Sequence, residues 1–362
     1  MPELVNYKLS TGLSLLALPL SMLAERRYRR LQSLPDSDIV GNLPSLSIII
    51  PARNEAFNLP GLLASLNGQT YPGELDVLVV DDHSTDQTAI VARAYDAALL
   101  PLTEGIPPGW LGKPFACHQG ALVAHGEWLL FTDADTVHTQ YGAARAVSFA
   151  LQNNLDGLSF FISQQSDHWC DRLALSAAHA GLFAGQHPSN HLLNGQFILL
   201  RRQVYVESGG FAAVSNEPLE DVALGNHLYQ QGFHVPVMSG ADIAQVRMYS
   251  NRKQMFFGMS RLASAALRWE RSWAAITVLL ITALMSPLIV LQGVLRGKFH
   301  WRWLPFSWIA ASLSLLPWTR RFGNPAWALL APIGALVVQV AGVYGILCRL
   351  LGRGIPWKDR QV

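Results

Sequence analysis

Solid apolar runs alternate with helix-spaced leucines through the middle of the chain, and long stretches almost free of charge occupy both ends. Residues 46–50 form a short β-branched run that stops at Pro51. Residues 75–80 form a second, which stops at Asp81, and Leu129, Leu130 and Phe131 form a third, which stops at Asp133. A strand that is apolar at every position is buried on both faces, as in a parallel sheet covered by helices. Leucines recur at helical spacing over 59–66, and residues 88–95 and 115–124 also read as helices. A further helix is expected to begin within the acidic stretch 217–221 and to run through Gln231. Alternation of strand and helix predicts an α/β domain.

The ends follow a different pattern. Residues 7–24 are apolar apart from Lys8 and small polar side chains, and Arg26, Arg27, Arg29 and Arg30 follow at once. A bilayer span takes roughly 17–25 such residues. Positive charge after the run argues against a cleaved signal peptide and puts the N-terminus outside, with Arg26 onward in the cytoplasm. Residues 273–295, 303–318 and 327–348 are three more apolar runs, with Trp301, Trp303, Trp318 and Trp327 at their edges. The expected organisation is an anchor at 1–30, a Pro/Gly-bearing linker at 31–45 and a catalytic domain at 46–250. After these come an interfacial helix at 251–272, a transmembrane region at 273–350 and a basic tail at 351–362. Three full C-terminal spans would leave Arg349, Arg353, Lys358 and Arg360 outside, against the positive-inside rule. One segment is therefore expected to be re-entrant or interfacial, either the run holding Pro287 or the short run 303–318.

Composition sharpens this picture. Half of the 362 residues are hydrophobic and only 14% are charged, against about 25% in ordinary soluble domains. A net charge of +2 with no basic, aromatic-studded stripe excludes a nucleic-acid binder. The three scattered cysteines, Cys117, Cys170 and Cys348, form neither a disulfide framework nor a zinc site.

Candidate chemistry collects where the apolar runs stop. In parallel α/β sheets, ligands sit beyond the C-terminal strand ends. Asn54 and Glu55, Asp81 and Asp82, and Asp133 and Asp135 all fall at such ends. The Asp-x-Asp pair can converge on one hard cation, Mg²⁺ or Mn²⁺, completed by substrate phosphates. The Gly/Pro-rich loop 105–113 carries Trp110 and Lys113 ahead of a helix, a place for an ammonium against phosphates. It lacks the P-loop spacing. Glu220 and Asp221 open a helix, where they either favour the dipole or present a general base.

These residues, in this order, resemble the family 2 inverting glycosyltransferases of GT-A fold. The likeness is carried by Ile48-Ile-Ile-Pro-Ala-Arg-Asn-Glu55, Val79-Val-Asp-Asp-His-Ser-Thr-Asp86, Phe131-Thr-Asp-Ala-Asp135 and Glu220-Asp221. Trp110-Leu-Gly-Lys113, Arg247-Met-Tyr249 and Gly354-Ile-Pro-Trp-Lys358 are similar to the bacterial branch that glycosylates carotenoid or hopanoid-type lipids. The resemblance implies a Rossmann-like, mostly parallel sheet covered by helices, plus transmembrane helices. It implies that Pro51, Arg53, Asn54, Glu55, Asp81, Asp82, Trp110 and Lys113 face a UDP-sugar donor, with Asp81 or Asp82 on the uracil or ribose. It assigns Asp133 and Asp135 to the metal and diphosphate and Asp221 to deprotonation of the acceptor hydroxyl, with Glu220 beside it. Asn194, Gly195, Gln196, Arg247 and Tyr249 would line the acceptor side.

The implied activity is metal-assisted transfer of a single hexose to a lipid hydroxyl, in the cytoplasmic membrane with the catalytic domain facing the cytoplasm. Processive synthases of this family carry Gln-x-x-Arg-Trp after the base. Here Gln254 is followed by Met255, Phe256, Phe257 and Gly258, and Arg268-Trp269 lacks the Gln. A polysaccharide synthase and a catalytically silent membrane scaffold are the competing expectations.

Overall fold

In the computed structural model the β-branched run at 46–50 lengthens by two residues into a strand. The structure describes residues 2–35, 39, 41–166, 168–186, 191–249, 251–266, 271–357 and 360–361. Arg268, Trp269 and Lys358, named above, lie outside them. In chain order, α1 spans Pro2–Tyr28, β1 Leu46–Ala52, α2 Leu59–Asn67, β2 Leu75–Asp81, α3 Thr88–Ala94, β3 Ala98–Pro101, α4 Gly112–Val123 and β4 Trp128–Phe131. Next come β5 Thr136–His138, α5 Gly142–Gln152, β6 Gly157–Gln164, α6 Trp169–Gly185, β7 Ile198–Arg201, α7 Arg202–Ser208, α8 Glu220–Gln230 and β8 Val237–Val246. The C-terminal part holds α9 Arg252–Ala266, α10 Arg271–Leu295, α11 Trp303–Arg321, α12 Ala331–Leu350 and the short strands β9 Pro356–Trp357 and β10 Arg360–Gln361.

The chain divides into two compact units. One comprises Leu31–Gln164 and Ser189–Arg247, the other Met1–Arg30, Gln165–Pro188 and Met248–Val362. Residues 165–188 sit inside the continuous 46–250 stretch expected from sequence, yet they cluster with the helical unit.

The first unit is built on a sheet of order β3-β2-β1-β4-β7-β6-β8-β5. The pairs β1/β2, β1/β4, β2/β3 and β6/β8 are parallel, while β7 runs antiparallel between β4 and β6, and β5 antiparallel to β8. Ile48, Ile49 and Ile50 have no exposed surface, as a strand covered on both faces requires. Gly120 lets α4 lie close on β1 and β2. A Cβ there would stand 2.5 Å from Ile49 Cγ2 and 2.9 Å from Val80 Cγ2.

Register decides what the sheet edge presents. Ala52 pairs with Asp81 and Ile49 with Phe131. The Asp82 amide donates to the Ala52 carbonyl at 2.8 Å, and the Thr132 amide donates to the Ile49 carbonyl at 3.2 Å. The polar residues after β1, β2 and β4 therefore leave the sheet along one edge. The stretch before β1 is tied to the same unit, since the Tyr71 hydroxyl donates to the Pro44 carbonyl and the Ser239 amide to the Gln32 carbonyl.

The second unit packs α1, α6, α9, α10, α11 and α12 together. Small polar side chains link the helices: Ser14 Oγ meets Ser286 Oγ at 2.6 Å, and Ser21 Oγ donates to the Ser314 carbonyl. The stretch expected to lie at an interface, α9, is packed closely on α12, because Gly345 leaves no gap over the Ser260 carbonyl. Helix α10 continues through Pro287. Large apolar side chains face outward along this unit, among them Met22, Phe306, Ile309, Val340 and Leu347. Among the described residues, Ala274–Leu295 and Pro325–Leu350 are long and apolar enough to cross a membrane.

Candidate active site

Two loops at the sheet edge are stitched to each other before they touch any ligand. Asn54 and His83 take positive φ, +51° and +57°, a region ordinary side chains avoid and Asn tolerates best. The Asn54 side-chain oxygen accepts from the Thr85 amide at 2.8 Å, and Ser84 Oγ accepts from the Asn54 amide at 3.0 Å. Arg53 donates to the Asp82 carbonyl at 2.8 Å. Asp81 Oδ1 accepts from the Ser84 amide at 3.0 Å, Asp82 Oδ1 lies 2.9 Å from His83 Nδ1, and Glu55 accepts from Asn58 at 2.8 Å. Glu55, Asp81 and Asp82 are all buried. Asp86, which the sequence reading leaves without a role, ties both loops: its carboxylate accepts from the Ala56 and Thr88 amides.

The turn after β4 is held from behind. Thr136 Oγ1 donates to the Asp133 carbonyl at 2.8 Å, and Thr132 Oγ1 donates to the Gln196 carbonyl at 2.9 Å. His138 Nε2 sits 3.0 Å from Thr132 Oγ1. Burial lowers the imidazole pKa to about 4, so the ring is neutral. Because Thr132 Oγ1 gives its one proton to the Gln196 carbonyl, it can only accept from His138 Nε2. The Arg247 amide donates to the Asp135 carbonyl at 3.0 Å, which sets that residue beside the turn.

Lys113, in the first turn of α4, joins this turn to α8. Its Nζ stands 2.7 Å from Asp133 Oδ1 and 2.9 Å from Glu220 Oε1. Burial alone would lower the ammonium pKa. The carboxylates of Asp133, Glu220 and Asp221 outweigh it and hold the pKa well above the usual lysine value. Asp221 accepts from the Gly195 amide through Oδ2 and from the Val222 amide through Oδ1, both at 2.8 Å. Burial and the neighbouring Glu220 raise its pKa to about 6, against the opposing pull of Lys113 and the two amides. Asn194 donates to the Phe160 carbonyl at 3.0 Å and to Gln196 Oε1 at 3.1 Å, which fixes the turn that holds Gly195 ahead of β7. Trp110 packs its half-buried ring on Phe115 and His118.

The structure thus draws Lys113, Asp133, Gly195, Glu220 and Asp221 into one cluster. Pro51 near the end of β1, Asp81 at the end of β2, and Arg53, Asn54, Glu55 and Asp82 in the loops that follow lie along the same edge. Tyr249 belongs to the helical unit, where it is buried among Met255, Met259 and Phe322. No group of three or more His, Cys, Asp or Glu side chains gathers as a metal cage among the described residues. Asp133 and Asp135 instead suit Mg²⁺ or Mn²⁺, which take one or two carboxylates and complete their shell with water and phosphate oxygens.

Comparison with known proteins bears on the family and the fold. Residues 47–222 match the family described as glycosyl transferase family 2. Two curated relatives, each named 4,4'-diaponeurosporenoate glycosyltransferase, come from Staphylococcus aureus strains MRSA252 and N315. Each is 30% identical over 233 residues, covering 61% of this chain and 61% of the relative. The aligned part is therefore less than two thirds of those proteins' length. Among solved structures, a mannosyltransferase from Pyrobaculum calidifontis in complex with GDP-Man and Mn²⁺ superposes with a TM-score of 0.58 at 18% identity. The match covers 94% of this chain and 98% of that one. At that identity the likeness speaks for the GT-A fold alone.

Proposed function

Since residues 47–222 match glycosyl transferase family 2, we propose that the protein moves a single hexose from a UDP-sugar to a hydroxyl of a membrane lipid, with inversion. A carotenoid is the acceptor class favoured by the names of the relatives. The observation that carries this reading is Lys113 bridging Asp133 and Glu220, because it brings the diphosphate side and the acceptor side of a transfer site within one side chain's reach.

Each residue then has a task. Asp221, ionised above about pH 6, takes the proton of the attacking hydroxyl. A base of near-neutral pKa suits that role. The Gly195 and Val222 amides fix the orientation of its carboxylate. Lys113 places positive charge beside the position of the donor phosphates and restrains Glu220. The loops holding Arg53, Asp81 and Asp82 shape the nucleoside side. Asp133 and Asp135 would hold Mg²⁺ or Mn²⁺, which supplies stabilisation for the charge that develops on the leaving nucleoside diphosphate. Attack from the side of Asp221, opposite the leaving group, yields inversion. Asn194, Gly195, Gln196 and Arg247 border the acceptor.

We place the helical unit in the cytoplasmic membrane with the sheet unit on the cytoplasmic side. This rests on two apolar helices of spanning length, on outward-facing apolar side chains and on the arginines that end α1. Purified protein supplied with Mn²⁺, UDP-glucose and a bacterial lipid extract is expected to form a monoglycosylated lipid, and a chelator is expected to stop it. Absence of any sugar-bearing lipid across UDP-glucose, UDP-galactose and UDP-N-acetylglucosamine would contradict the reading.

A further inference from the structure

The four arginines that follow the N-terminal apolar run are not equivalent. Arg27 turns inward and donates to the carbonyls of Phe183 and Ala184, at 3.2 and 2.6 Å. Arg29 pairs with Glu25 at 2.5 Å. Arg321, from α11, grips the same Glu25 with two contacts at 2.6 and 2.7 Å, and it stacks on Tyr28 and Trp318. The Glu25 carboxylate is therefore answered by two guanidinium groups. Arg26 and Arg30 have no acceptor among the described residues.

Those two arginines border a crevice of about 490 Å³ between the C-terminal half of α1 and α11. Its walls include Met22, Leu313 and Pro317, and Met22 is 70% and Leu313 53% exposed. An apolar wall that ends in two unanswered positive charges matches a molecule with an acyl chain and a phosphate at its end. A free phosphate would gain nothing from Met22 and Leu313, and in a zwitterionic lipid the headgroup cation offsets the attraction of its phosphate to Arg26 and Arg30. We propose that this crevice binds an anionic phospholipid, its phosphodiester on Arg26 and Arg30 and a chain along Met22 and Leu313. The inference rests on the membrane placement of the helical unit. It adds a lipid site separate from the transfer chemistry, since none of its residues belongs to the sheet unit.

The test uses full-length protein in vesicles of phosphatidylcholine alone and with phosphatidylglycerol, together with native mass spectrometry of the phospholipid each sample retains. Wild type is expected to retain phosphatidylglycerol over phosphatidylcholine by about tenfold or more, the attraction two arginines give to an anionic lipid. Arg26→Gln with Arg30→Gln should lose that preference. Arg26→Lys with Arg30→Lys should keep most of it, and Arg93→Gln, on an exposed helix of the sheet unit, should keep all of it. Millimolar inorganic phosphate should not displace the lipid. Equal retention by the Gln pair and by Arg93→Gln, or displacement by phosphate, overturns the proposal while the membrane placement stands. Wild type that enters neither kind of vesicle overturns both. Circular dichroism and UDP-sugar binding of the Gln pair separate misfolding from loss of the site; if that pair misfolds, the preference of the folded Lys pair decides, and its loss overturns the proposal.

Discussion

The Gly195 amide donates to Asp221 Oδ2 at 2.8 Å, and the same residue lacks a side chain where one would meet the site. A Cβ on Gly195 would stand 3.2 Å from that carboxylate oxygen and 2.9 Å from Lys113 Nζ. Gly195 thus serves as a donor and as the clearance that lets a cation and a base share one space.

Gly195→Ala should therefore impair turnover more than folding, because the Lys113 ammonium is the far end of a flexible chain and can withdraw. A displacement of this kind is expected to lower kcat by roughly ten- to a hundredfold, with thermal denaturation close to wild type. Unchanged kcat in steady-state assays would show that Lys113 and Asp221 need not lie so close.

Lys113 opposes the upward shift of the Asp221 pKa that burial and Glu220 produce. In Lys113→Met that opposition is gone, so Asp221 holds its proton to higher pH. The acid limb of the kcat profile, expected near pH 6 in wild type, should move upward, and the rate at pH 7 should fall. A pH–rate profile checks this, and a limb that stays put or moves down would detach Lys113 from the base.

Stability should fall in acid through His138. Its folded pKa is about 4 against an ordinary 6.5. Between these values the unfolded chain binds a proton that the folded chain refuses, so stability rises with pH across this window and is lost as pH drops through it. The loss should reach about 3 kcal/mol at full protonation. Urea denaturation of wild type and His138→Gln at pH 7 and pH 4.5 tests it, and the variant should show the smaller pH dependence. Equal pH dependence in the two proteins would remove His138 as the cause.

The size of the product separates single transfer from polymerisation. Mass spectrometry of lipid products is expected to show one added hexose and no ladder, in keeping with the missing Gln-x-x-Arg-Trp. A ladder would make the enzyme a synthase.

Much of the sheet edge was legible in the sequence because burial on both faces writes itself as unbroken apolar runs. Residues 46–50 and 75–80 fall within β1 and β2, and the helices expected at 59–66 and 88–95 lie within a residue of α2 and α3. The antiparallel insertion of β7 was not legible, since pairing partners come from register across distant segments and leave no local pattern. Helix α6 was equally silent: alanine, glycine and serine dominate it, and it buries almost all round. The acidic strand ends announced candidate chemistry. The convergence of Asp133, Glu220 and Gly195 on Lys113 depends on contacts between residues far apart in the chain, and so do the loop-tying role of Asp86 and the place of His138 behind Thr132.

The most direct measurement of the central claim compares wild type with Asp221→Asn for transfer of labelled hexose from a UDP-sugar to lipid at pH 7.5, with donor binding followed by calorimetry in both. The account predicts a rate lower by about 10²–10⁴-fold, the loss expected for a general base, with donor affinity unchanged. Transfer by Asp221→Asn at the wild-type rate would contradict it.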